Sequence, residues 1–190
     1  KFIATTFRNP LLVEKVEELL NVRDGLVLGV CNGFQALIKL GLLPYGKITT
    51  LKDDSPTLTF NNISRHVSTI TEVRVASTLT PWLYGVELGE RYNVPVSHGE
   101  GRFVANDEVL AKLIENGQVA TQYVDAKGFA TMESPYNPNG SVFAIEGITS
   151  ADGRVFGRMG HPERTGENLL KNVPGNFDMK IFESGVKYFK

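Results

Sequence analysis

The sequence has 190 residues, of which 42% are hydrophobic, enough to bury a core and of a length that suits one domain better than two. Its 20 Lys and Arg against 21 Asp and Glu leave a formal charge of -1, and no stretch gathers basic residues into a groove-sized patch, which argues against a nucleic-acid partner. No apolar run approaches the about 20 residues that cross a bilayer, and one cysteine makes neither an internal disulfide nor, alone, a thiolate metal site. A cytoplasmic chain with no membrane contact and no metal site is therefore expected. The opening "KFIATTFRNP" lacks a signal-peptide core and has no initiator methionine, as expected of a piece of something longer.

In chain order, Asn9 and Pro10 read as the N-cap and first residue of a helix, with Leu12, Val16, Leu19 and Leu20 at helical spacing up to "RDG". Leu26 to Val30 form a short continuous apolar run, the mark of a strand buried on both faces. From Phe34 a helix runs through Leu37 and Ile38 until Gly41 ends it. "RHVSTITEVRV" places Val67, Thr69, Thr71, Val73 and Val75 on one face of a half-buried strand. "NDEVLAKLIENG" is a helix capped by Asn106 and stopped at Gly117, and "VATQYV" is a strand. Ser141 to Ile148 and Arg154 to Met159 read as two strands joined across "TSADG". The alternation predicts an α/β fold with an open, mostly parallel sheet flanked by helices and carrying an antiparallel extension.

The only cysteine stands where strand, tight turn and helix are compressed together. Gly29, Cys31 and Gly33 spell G-x-C-x-G, the thiol version of the nucleophile elbow, in which small neighbours let a strained turn lift the reactive side chain above the sheet. A helix start there supplies free backbone N–H groups and partial positive charge, which lower a thiol pKa and can hold an oxyanion. A small buried core residue would leave the same trace, so a partner must decide.

The chain has three histidines, which keeps the search for a base short. His66 lies inside the alternating strand, and His98 sits in a glycine-rich loop, "PVSHGEGRF". His161 follows an apolar strand and opens "HPER". Pro162 disfavours helical backbone at His161, so His161 and Glu163 fall on one side of an extended segment. A carboxylate on one ring nitrogen leaves the other free to exchange a proton with a thiol. A solvated surface turn is the alternative. Cys31 and His161 both lie just past the carboxyl ends of predicted strands, the edge that forms the ligand crevice of an open α/β sheet.

"LGVCNGFQAL", "PVSHGEGRFV", "NPNGS" and "GRMGHPER", in that order, resemble the glutaminase domain of phosphoribosylformylglycinamidine synthase, a triad (class I) glutamine amidotransferase with a flavodoxin-like fold. The resemblance runs from Lys1 to about Tyr188 and implies a single amidotransferase domain over residues 1–190 whose N-terminal strands are missing. It implies that Cys31 is the nucleophile, His161 the general base and Glu163 its orienting carboxylate. Asn32 would supply an oxyanion-hole N–H, and Gln35, Gly33, His98 and Gly99 would border the glutamine. The implied partner is a synthase domain of the same enzyme or a separate synthase subunit. ATP and magnesium are expected there, with no cofactor in this chain, which has no P-loop-type phosphate motif.

Two departures from the relatives' pattern stand out. Many relatives read M-P-H-P-E-R, whereas Gly160 precedes His161 here, which predicts a looser approach to the histidine. The upstream G-G-F-S-type loop that gives relatives a second oxyanion donor is absent, which predicts weak turnover by this chain alone. A cysteine hydrolase or peptidase on a related scaffold, and a non-catalytic docking domain, are the competing readings. Neither needs Gln35, "HGEGR" and "NPNGS" together with the three triad residues.

Overall fold

The computed structural model describes residues 2–190. A short helix α1 (Phe2–Thr6) leads into α2 (Pro10–Asn21), whose Asn9 cap accepts a hydrogen bond from the Leu11 N–H at 3.0 Å. Strand β1 (Val27–Val30) then passes directly into α3 (Asn32–Leu40), which Gly41 ends in the left-handed conformation (φ 82°). A kinked turn α4 (Leu42–Tyr45), β2 (Thr57–Thr59), β3 (Val67–Val75), β4 (Arg91–His98) and β5 (Arg102–Val104) follow. The remainder is α5 (Asp107–Glu115), β6 (Val119–Tyr123), β7 (Ile145–Thr149), β8 (Val155–Arg158) and α6 (Ile181–Lys187). Among the described residues, no helix is long and apolar enough to cross a membrane.

Six strands form one sheet in the order β1-β8-β7-β6-β3-β4, and β2 pairs with β5 in a small separate ribbon. The α/β class holds, but the sheet is not mostly parallel. Only β1 and β8 run parallel; β8–β7, β7–β6, β6–β3 and β3–β4 are antiparallel. The reason lies in β3 and β4, long strands whose alternating side chains suit antiparallel pairing, joined in register from Val67↔His98 to Arg74↔Arg91. The β7–β8 connection across "TSADG" is the antiparallel turn expected. Its first strand begins only at Ile145, because Val142–Ala144 form a 3-10 turn with Phe143 at φ 53°. β1 lies at the sheet edge and is half-buried, not covered on both faces.

Apolar side chains pack on both faces. Phe34, Leu37, Ile38 and Leu40 of α3 join Leu20, Ile145, Ile148 and Val155 on one side. On the other, Val73, Tyr92, Val94 and Phe156 pack with Leu83, Met179 and Ile181. The sheet curls enough to bring β4 back toward the opposite end of the strand order. The His161 N–H, just beyond β8, donates to the Pro95 carbonyl of β4 at 2.8 Å. That curl closes one end of the sheet over the β1–β8 edge.

Candidate active site

Parallel pairing of β1 and β8 makes both chains leave the ladder at the same edge. Val30 is in register with Arg158, and the Cys31 N–H donates to the Arg158 carbonyl at 2.8 Å. Cys31 follows β1 immediately as the N-cap of α3, and His161 follows β8 by three positions.

Cys31 has φ 51° and ψ −104°, a conformation side chains with a Cβ resist and one that costs on the order of 1–3 kcal/mol. The surroundings impose it: strand hydrogen bonding fixes one side and the packed helix the other. The flanking glycines serve different ends. A Cβ on Gly29 would lie 2.5 Å from Leu37 Cδ1 and 2.8 Å from the Gly33 carbonyl carbon, so Gly29 lets α3 sit down on β1. A Cβ on Gly33 would meet nothing within 4 Å, so beside the thiol Gly33 faces open space.

The thiol is partly buried, and its Sγ donates to the Ser97 carbonyl at 3.8 Å. Burial pushes the thiol pKa up, while the Asn32 backbone N–H and the Arg164 charge pull it down. His161 is buried, and its Nδ1 lies 2.6 Å from Glu163 Oε1. A carboxylate only accepts, so Nδ1 carries the proton and Nε2 is the nitrogen left for chemistry. Among the described residues, His161 Nε2 is buried without a hydrogen-bond partner, and no hydrogen bond joins it to Cys31 Sγ. The thiol rests on a backbone carbonyl instead, the loose arrangement common in sites without substrate.

The other expected positions fall around this pair. Asn32 is exposed at the first turn of α3, and the Gln35 side chain donates to the Glu100 carbonyl, tying α3 to the "HGEGR" segment. Gly99 faces open space. His98 is not in a loop: it is the last residue of β4, 4% exposed, with Nδ1 3.2 Å from Asn61 Oδ1. Burial lowers its pKa to about 4, which keeps the ring neutral near pH 7. His66 is exposed, with Nε2 3.0 Å from Ser97 Oγ. Among the described residues no group of three or more His, Cys, Asp and Glu side chains is placed to hold a metal ion.

Sequence reasoning missed the residues that brace these loops. Asn61 donates to the carbonyls of His98 (2.8 Å) and Arg65 (3.0 Å) and accepts from the Gly101 N–H (3.2 Å). "NPNGS" is a second brace: Asn139 donates to the Gly101 carbonyl at 2.8 Å, and Ser141 Oγ accepts from the Phe103 N–H at 2.9 Å. The two motifs are thus one hydrogen-bonded unit under the site. Glu146 and Arg158, both fully buried, were also missed, although a charge within each of two apolar strands is a readable signal.

This geometry agrees with what the chain is similar to. A phosphoribosylformylglycinamidine synthase subunit PurQ from Salinibacter ruber is 43% identical over 160 residues, 84% of this chain and 61% of that protein. The PurQ subunit from Synechocystis is 40% identical over 149 residues, 78% of this chain and 61% of that protein. The chain thus spans about three fifths of the length of these curated relatives. A chain in the structure of PurLQS from Thermotoga maritima superposes with a TM-score of 0.69 at 30% identity, covering 98% of this chain and 72% of that one. Its likeness bears out the class I amidotransferase-like fold expected from the sequence. The family model for the CobB/CobQ-like glutamine amidotransferase domain matches residues 1–189, and the chain belongs to that family.

Proposed function

We propose that this chain is the glutaminase part of phosphoribosylformylglycinamidine synthase, releasing ammonia from glutamine through Cys31, His161 and Glu163. The observation that carries the reading is the placement of a strained cysteine at a helix start on the same sheet edge as a histidine whose Nδ1 is held by a carboxylate. In the proposed reaction His161 Nε2 takes the Cys31 proton, and Sγ attacks the side-chain amide carbon of glutamine. Backbone N–H groups at the start of α3, Asn32 first among them, face the developing oxyanion. His161 returns the proton to the leaving nitrogen, ammonia departs, and a glutamyl thioester remains. Water, deprotonated by His161, then releases glutamate and regenerates the thiol.

The Cys31 thiol, raised by burial, makes this general-base step necessary: at neutral pH the sulfur needs a base within reach. Gly33 and Gly99, which face open space, leave room for the substrate; the buried, neutral His98 supports the loop rather than meeting glutamine as a charge. We assign the ammonia to a synthase partner, a subunit or domain that uses ATP and magnesium to convert formylglycinamide ribonucleotide to the amidine. The PurQ likeness supports that assignment. A peptidase reading has no comparable support, because it leaves the Gln35 and "NPNGS" bracing of "HGEGR" without a use.

The test is Cys31→Ala in the chain assembled with its synthase partner. Glutamine-dependent synthesis should be lost while synthesis from added ammonium persists. Loss of both in a folded assembly, or retention of the glutamine-dependent rate, overturns the reading.

A further inference from the structure

The buried charges of β7 and β8 meet beneath the His161 loop. Glu146 and Arg158 are each 0% exposed, with Arg158 Nε 3.1 Å from Glu146 Oε1. Such a pair gains little stability over apolar side chains of similar volume, so its stability does not explain its presence. Its other contacts do. Glu146 Oε1 also accepts from the Gly160 backbone N–H at 2.6 Å, and the Glu146 carbonyl accepts from the Met159 N–H at 3.1 Å. Glu146 Oε2 accepts from Thr121 Oγ1, and Arg158 Nη1 contacts Met179 Sδ at 2.8 Å. One carboxylate therefore grips the backbone next to His161, while the His161 N–H is held from the other side by Pro95.

Gly160 is the residue that permits this grip. A Cβ there would lie 2.5 Å from Val94 Cγ2 and 2.8 Å from Glu146 Oε1. A proline would in addition lack the N–H that Glu146 receives. The expectation that Gly160 loosens the approach to His161 is thus reversed: its missing side chain admits a buried anchor.

We propose that Glu146, oriented by Arg158 and Thr121, is a positioning residue for His161, fixing through the Gly160 N–H the height of the imidazole above the β1–β8 edge. The inference rests on the proposed glutaminase role only for its activity readout. A misplacement of about 1 Å in a catalytic group can lower turnover about 100-fold.

Two variants of the 190-residue chain, assembled with its synthase partner, test it. Glu146→Leu combined with Arg158→Met removes the anchor without leaving an unpaired buried charge. Gly160→Ala leaves the pair in place and pushes it off the loop. Each, once shown folded by circular dichroism, should lower kcat for glutamine about 10- to 100-fold with KM changed less than about twofold. Each should also displace the pH profile of iodoacetamide alkylation of Cys31 toward higher pH, because at neutral pH the thiol loses the base placed to take its proton. Glu146→Gln, which keeps an acceptor for Gly160, should lose less of both. Unchanged kcat and an unchanged alkylation profile in either folded variant overturns the proposal. If the assembly with the unmodified chain turns over no glutamine, the glutaminase reading fails, and the alkylation profiles still decide the positioning role.

Discussion

Replacing Cys31 by glycine should yield a more stable protein than replacing it by alanine, the reverse of the usual order. Both substitutions delete the sulfur and its 3.8 Å contact with the Ser97 carbonyl, so that loss cancels between them. What differs is the backbone. At φ 51° and ψ −104° a residue with a Cβ carries on the order of 1–3 kcal/mol of strain, and this pair of angles is close to the first central position of a type II′ turn, which glycine prefers. Alanine keeps the strain; glycine releases it and in exchange loses about 0.5–1 kcal/mol to greater freedom in the unfolded chain. The difference should favour glycine by roughly 0.5–2 kcal/mol, or about 1–8 °C in melting temperature for a domain of this size. Urea denaturation of the two variants at one pH, analysed with a shared m value, measures it. Alanine as stable as glycine, or more so, would refute the argument that the fold holds Cys31 in a strained conformation.

The remaining predictions concern the glycines and the buried histidine. Gly29→Ala should destabilise by about 1–3 kcal/mol, since its Cβ would press on Leu37 and on the Gly33 backbone, which has no rotamer to yield. Gly33→Ala should instead be neutral or gain up to about 1 kcal/mol and, under the proposed glutaminase role, raise KM for glutamine, because its Cβ enters open space beside Cys31; thermal melts beside steady-state kinetics separate the two. His98 titrates at about 4 in the native protein, against 6.5 in an unperturbed chain, because burial disfavours its charged form. The unfolded chain therefore takes up a proton that the native state refuses. The His98 contribution is fully present above pH 6.5 and is lost as pH falls from there toward 4, on the order of 2–3 kcal/mol. His98→Asn should flatten the fall in urea midpoint across that interval, and an identical slope in the variant would count against it.

Much of the site was legible because its chemistry depends on local backbone. A cysteine between glycines after an apolar run announces a strand, a strained turn and a helix, and these are β1, Cys31 and α3 as found. "HPER" likewise encodes its own hydrogen bond, since a histidine and a glutamate two positions apart in extended chain share a side. Long-range pairing was less legible. The apolar run of β1 fits a strand covered on both faces as well as it fits a half-buried edge, and only the partners decide. His98 read as loop because four of the residues around it are turn formers, yet its register with Val67 extends the ladder to that point. The Glu146 carboxylate, placed among apolar neighbours, signalled a specific partner without saying which, because Arg158 reaches it through tertiary pairing of β7 with β8.

A sheet with a single parallel ladder suffices for this chemistry because of where that ladder lies. Had β1 and β8 been antiparallel, Cys31 and His161 would leave at opposite edges, separated by the length of a strand, about 13 Å for four residues at the usual rise. Parallel pairing removes that separation at the level of topology, before any side chain is chosen. The antiparallel strands then do something a uniformly parallel sheet of this size does not provide directly. β3 and β4 extend far enough for the twisted sheet to curl, and β4 returns to the same edge with its carbonyls presented to both residues, Ser97 to the thiol and Pro95 to the His161 N–H. Cys31 and His161 are therefore coupled to a common strand that adjoins neither of them in sequence. A change in β4 that shifts those two carbonyls should disturb both residues together, whereas a change in Glu163 removes a contact of His161 and leaves the Ser97 contact of Cys31 in place.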